Sequence, residues 1–143
     1  MHITDFEIFV VGNPPPGFGG RYFIFVKLTT NNGIEGYGEI YCATFGPNVV
    51  TQMAEDMAAR YFVGSDPFQI ETLFRKAYGT GYTARPDVSM MGVFSGLEMA
   101  CWDIMGKALD KPAYALLGGK VHERLRTYTY IYPDEGDVYP EGP

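Results

Sequence analysis

Gly96-Leu97-Glu98-Met99-Ala100-Cys101-Trp102-Asp103-Ile104-Met105-Gly106-Lys107-Ala108 is the stretch whose reading decides the fold. Read backwards, its apolar positions continue: Met90, Phe94, Leu97, Cys101 and Ile104 fall on one side of a helix predicted over roughly 88–109, with Asp87 as its cap. Met91, Met99, Trp102 and Met105 lie off that stripe, so the helix is apolar nearly all round and needs cover on several sides. Gly92, Ser95, Gly96, Ala100 and Gly106 are small enough to let neighbouring backbone come close.

Towards the N-terminus the period changes from helical to two. Residues 3–11 set Phe6, Ile8 and Val10 against Asp5, Glu7 and Phe9 and predict a strand. Gly12 to Gly20 holds three prolines and a run of glycines, which makes it a loop. Residues 21–29 predict a second strand, with Tyr22, Ile24, Val26 and Leu28 on one face. Asn32-Gly33 suits a tight hairpin, and Ile34 to Ile40 return as a third strand. A helix follows from Pro47, its stripe Val50, Met53, Met57 and Tyr61, until Gly64. Asp66-Pro67 opens the next, with Ile70, Leu73, Phe74 and Ala77 as its stripe and Gly79 as its end.

Beyond the long helix, Pro112 precedes a short helix from Ala113 to Leu117, and residues 126–132 predict one more strand. The fold class is therefore α+β: a three-stranded antiparallel meander followed by a helical bundle. A meander and two short helices are thin cover for the long helix, which points to a partner surface outside the bulk of this chain.

Composition narrows the function classes. The chain has 143 residues, 46% of them hydrophobic, and suits one domain. Its formal charge is −6, with Lys and Arg scattered singly, which argues against a nucleic-acid partner. Two cysteines cannot frame a multi-bridge secreted fold. No basic segment opens the chain as in a signal peptide, and no apolar run reaches the ~18 residues of a membrane span, so a cytoplasmic protein is expected.

The familiar catalytic constellations are missing: no phosphate loop, no Cys-x-x-Cys, no His-Glu-x-x-His, no Gly-x-Ser-x-Gly. Gly17-Phe18-Gly19-Gly20 opens onto a strand and lacks the helix N-terminus an anion would need. His2 and His122 read as solvated side chains. Asp103 and Lys107, four apart, read as an ion pair, and Glu98 as a carboxylate tying the long helix to an adjacent element. The loops 12–20 and 41–48 follow strands one and three of a single meander and are expected at one sheet edge. There they are either a lid over a ligand or two ordinary surface loops.

Gly36-Tyr37-Gly38-Glu39 closing the meander, Asp66-Pro67, the Gly96–Ala108 stretch and the following Lys111-Pro112-Ala113-Tyr114-Ala115-Leu116-Leu117-Gly118-Gly119 together resemble the amino-terminal capping domain of the enolase superfamily. The likeness is to the mandelate racemase and muconate lactonizing branch and spans residues 1 to about 132. It implies a capping domain over 1–125 and, over 126–143, the first strand of a β/α barrel that is otherwise absent. A full barrel takes ~250 residues. It also implies that the two loops close over the barrel mouth, with Phe18, Tyr41, Thr44 and Phe45 facing substrate.

The implied chemistry is removal of a proton α to a carboxylate, with Mg²⁺ stabilising the enediolate. Its catalytic and metal residues would lie beyond residue 143, so none is assigned within this span. Likeness to sugar-acid dehydratases makes a Mg-dependent dehydratase acting on a sugar acid the leading expectation. A racemase or cycloisomerase of the same branch is the alternative, as is a non-catalytic binding module should the chain end at 143. The resemblance further implies a homo-oligomer.

Overall fold

A computed structural model describes residues 1–15, 17, 19–42, 45–79 and 87–129. Three antiparallel strands, β1 (Ile3–Gly12), β2 (Tyr22–Thr30) and β3 (Glu35–Ile40), form a sheet in the order β1-β2-β3. Phe6 stands opposite Leu28 and Val10 opposite Ile24, while Ile24 stands opposite Ile40. Alternation does the sorting: Ile24, Val26 and Leu28 are buried, as their shared face predicts. The hairpin between β2 and β3 turns on Gly33 at φ +79°, a conformation that costs glycine nothing.

Among the described residues are four α-helices, α1 (Pro47–Met57), α2 (Ile70–Gly79), α3 (Val88–Leu109) and α4 (Ala113–Leu116): α3 and α1 pack on one face of the sheet, and α2 and α4 pack on α3. The run expected from Pro47 to Gly64 is continuous but widens into a π-helical turn over Ala58–Phe62, where Val63 N–H donates to Ala58 O at 3.0 Å. The extra residue moves the stripe along by one, so Phe62 rather than Tyr61 is fully buried. The helix expected from Pro67 begins instead at Ile70. Asp66 Oδ1 accepts from Phe68 N–H at 3.0 Å and Asp66 O from Gln69 N–H at 3.0 Å, so Asp66 closes a turn ahead of α2.

Asp87 caps α3 as expected, its Oδ1 accepting from Ser89 and Met90 N–H at 2.9 and 3.1 Å. α3 lies directly on β3, at backbone contact. A β-carbon on Gly36 would overlap Ala100 O, and one on Gly38 would overlap Gly96 O. Phe94 anchors the other helices, its ring 5.7 Å from Phe62 and 5.4 Å from Phe74.

One flank of α3 has no cover among the described residues. Ser95 and Met99 are exposed there, and Met91, Glu98 and Trp102 half-buried. Glu98 ties α3 to itself rather than to a neighbour: its Oε1 accepts from Trp102 Nε1–H at 3.1 Å, one turn on. Among the described residues, 126–129 belong to none of the three strands of the sheet, and the rest of the strand expected at 126–132 lies outside the described residues. No described helix is long and apolar enough to cross a membrane.

Candidate functional site

The end of the sheet where β1 hands over to β2 is also where β3 ends. Gly12 pairs with Tyr22 and Ile24 with Ile40, so the segments after Gly12 and after Ile40 leave the sheet side by side. Between them runs a cleft of about 310 Å³ lined by Gly19, Gly20, Arg21, Tyr22, Glu39 and Tyr41, among others. Tyr22 Oη donates to Phe45 O at 3.4 Å, tying the start of β2 to the segment that follows β3.

Local hydrogen bonds shape both walls. Asn13 N–H donates to Arg21 O at 2.9 Å and Asn13 Nδ2 to Gly20 O at 2.7 Å, closing the first loop at its base. Gly17, Gly19 and Gly20 hold φ of +71°, +85° and +151°, a path open to glycine and strained for other residues. The second wall is seated on α3, where the carbonyl of Tyr41 occupies the space a β-carbon on Gly92 would need.

Of the four residues expected to face substrate, Tyr41 and Phe45 lie at this end of the sheet, 78% and 43% exposed. Phe18 and Thr44 lie outside the described residues. Sequence reasoning missed Arg21, Tyr22 and Glu39, which line the cleft. Their signal was position alone, since each sits within two residues of a strand end that feeds a loop.

The stronger electrostatic features lie away from the cleft. On the outer face of the sheet Lys27 pairs with Glu7, and with Glu35 at 3.4 Å. The Tyr37 hydroxyl donates to Glu35 at 3.0 Å and, with Lys27, holds that carboxyl below its usual range. Asp103 Oδ2 accepts from Lys107 Nζ at 2.7 Å, the pair its spacing predicts, and also from Tyr37 N–H at 2.9 Å. Burial, with Glu98 nearby, pushes the Cys101 thiol up to about 12. His2 and His122 are exposed.

No three His, Cys, Asp or Glu side chains converge among the described residues. They therefore do not fit the Mg²⁺ that the resemblance implies, and no step is routed through a metal here. Among the described residues, what the cleft offers is cover: tyrosine rings, one cation, one carboxylate and glycine backbone.

Residues 18–118 match the family described as Mandelate racemase / muconate lactonizing enzyme, N-terminal domain. The chain is 38% identical over 112 residues to D-galactonate dehydratase of Xanthomonas campestris pv. campestris (strain B100), covering 78% of this chain and 28% of that protein. A crystal structure of mandelate racemase/muconate lactonizing enzyme from Jannaschia sp. CCS1 superposes with TM-score 0.89 at 48% identity, over 95% of this chain and 35% of that one. An enolase from Agrobacterium radiobacter, solved with Na and L-malate bound, superposes with TM-score 0.73 at 26% identity, over 90% of this chain and 30% of that one. The chain thus spans about a third of the length of the relatives it matches.

Proposed function

Because this chain belongs to the mandelate racemase/muconate lactonizing enzyme N-terminal domain family, an enolase-superfamily capping domain, we propose that it caps a longer sugar-acid dehydratase. In this reading residues 1–125 form the cap and 126–143 lead into the first strand of a β/α barrel. The protein is a cytoplasmic homo-oligomer whose base, acid and Mg²⁺ ligands belong to that barrel. The single observation that carries the role of the cap is the cleft at one end of the sheet, lined from one side by Gly19, Gly20 and Arg21 and from the other by Tyr41, with Tyr22 at the start of β2 bonded to Phe45 O. The 38% identity to a D-galactonate dehydratase supports the choice of reaction.

The reaction takes a proton from the carbon α to the substrate carboxylate and expels the β-hydroxyl, protonated, as water. The resulting enol tautomerises to a 2-keto acid. Charge gathers on the carboxylate as the C–H bond breaks, and excluding bulk water strengthens every contact that stabilises it. This chain's share is that exclusion, together with selection. Tyr41 and Phe45 close over the substrate, joined by Phe18 and Thr44, while Arg21 and Glu39 offer charge to its hydroxyl-bearing end.

The test is to supply the longer protein with a panel of aldonic and aldaric acids and measure 2-keto acid. Product from at least one acid is expected. Epimerised acid without keto product would move the assignment to a racemase, and no change in any acid would overturn it.

A further inference from the structure

A sheet in the order β1-β2-β3 has two edges, and the molecule treats them differently. The β3 edge is blunted by α3: Tyr37 N–H donates to Asp103 Oδ2 at 2.9 Å, and Glu35 O accepts from Lys107 Nζ at 2.7 Å. Among the described residues the β1 edge is covered only at its first residue, where Ile3 N–H donates to Ser65 O and Ile3 O accepts from Gly64 N–H.

Which groups the rest of β1 leaves free follows from alternation. Asn13 N–H donates to Arg21 O, so Val11, Phe9, Glu7 and Asp5 also point their backbone groups at β2. Ile8, Val10 and Gly12 therefore point theirs outward, as does Phe6, whose N–H is taken by Asp5 Oδ1 at 2.8 Å. Along this open stretch Phe9, Val10 and Val11 are 37%, 49% and 47% exposed. β1 contains neither Lys nor Pro, the residues with which proteins commonly protect an edge.

We infer that β1 pairs with β1 of a second copy of this chain, antiparallel about a two-fold axis at Val10. This inference is independent of the proposed reaction. In that register Val10 meets Val10 and Ile8 meets Gly12, which places outward groups opposite outward groups and forms about six backbone hydrogen bonds. Phe9 then lies across from Val11 twice, apolar against apolar. Glu7 lies across from Asn13, so no two carboxylates face each other. Moving the axis to Phe9 would set Glu7 against Val11 and demand the N–H that Phe6 has already given to Asp5. The two-fold at Val10 is the register that the exposed side chains and free backbone groups satisfy together, and it joins the two sheets into one of six strands.

Val10→Cys tests it directly. Across a hydrogen-bonded antiparallel pair the two Cα atoms stand ~5.5 Å apart, within disulfide reach. Under mild oxidation the V10C chain is expected to cross-link to a covalent dimer at least ~10-fold faster than V49C, a control of similar exposure on α1. In sedimentation, Val10→Pro and Val10→Lys are expected to run as monomers at concentrations where the parent runs as a dimer. Both should keep the parent's circular dichroism, because the lost N–H faces away from β2. Equal cross-linking of V10C and V49C would overturn the proposal, as would variants that sediment like the parent. A parent that stays monomeric because another strand already occupies the edge would overturn it as well.

Discussion

The carbonyl oxygen of Gly96 sits where a β-carbon on Gly38 would stand. The two residues belong to α3 and β3, and their contact sets the distance between the helix and the sheet. Gly36 and Ala100 repeat it one turn along. Helix backbone resting on strand backbone leaves no slack for a methyl group.

Gly38→Ala is therefore expected to destabilise the fold by about 3 kcal/mol, because the obstruction is main chain and cannot swing aside. Gly46→Ala, with open space around it and φ −68°, should stay within about 0.5 kcal/mol of the parent. Denaturant unfolding of both variants measures the difference, and equal midpoints would contradict the backbone contact.

Asp103 joins the same two elements by a different bond. Asp103→Ala leaves Tyr37 N–H without its acceptor and Lys107 with Glu35 O but no carboxylate, at an expected cost of about 1–2 kcal/mol. The ion pair is close to half exposed and contributes little alone, so Lys107→Met should cost under about 1 kcal/mol. The reverse ranking in thermal unfolding would show that the charge pair, not the backbone bond, holds the junction.

Cys101 gives the chain an alkaline weakness. Its thiol, fully buried, is pushed up to about 12, whereas in the unfolded chain it ionises near the ordinary thiol value of about 9. From pH 9 upward the unfolded state sheds a proton that the folded state keeps. Stability should then fall by about 1.4 kcal/mol per pH unit until the folded thiol also titrates. Cys101→Ala should remove that component of the slope, and a parent and variant with parallel pH profiles above 9 would refute it.

Glu35 acts at the acid end. Tyr37 and then Lys27 hold its carboxyl below the usual value, so its contribution is present above that value and lost as pH falls through the lower one. The difference in melting temperature between parent and Glu35→Gln should be visible at neutral pH and vanish in strong acid. A difference that persists unchanged there would contradict the pairing.

Met99, on the open flank of α3, separates this chain from the longer protein. Its side chain is 43% exposed, so Met99→Lys should cost under about 0.5 kcal/mol here. In the longer protein proposed above, a barrel resting on that flank should make it cost several times more. Equal cost in both would remove the reason for the flank's apolar character.

Much of this fold was legible in the sequence, and the misses share a cause. Alternation along Tyr22–Thr30 identified the buried face, Asn32-Gly33 the hairpin, and Asp87 the start of α3, because each signal is local and has one cheap solution. The π-turn at Ala58–Phe62 was not legible, because what favours it is the burial of Phe62 against Phe94, a contact across 32 positions. Asp66-Pro67 and Glu98 misled for a similar reason. An aspartate can close a turn as well as cap a helix, and the Glu98 carboxylate found Trp102 within its own helix before any neighbour.

The place of the cleft was half legible. Strand order alone put the two loops at one edge, and Tyr41 and Phe45 are there. Arg21, Tyr22 and Glu39 emerge only once the register is fixed.

The central claim is that the segments around Tyr22 and Tyr41 close over a sugar acid. Hydrogen exchange on the longer protein, with and without saturating substrate or 2-keto product, tests it most directly. The account predicts slowed amide exchange in residues 13–22 and 41–46, with the β2–β3 hairpin at Asn32-Gly33 unchanged. Exchange in both segments that ignores the ligand would contradict it.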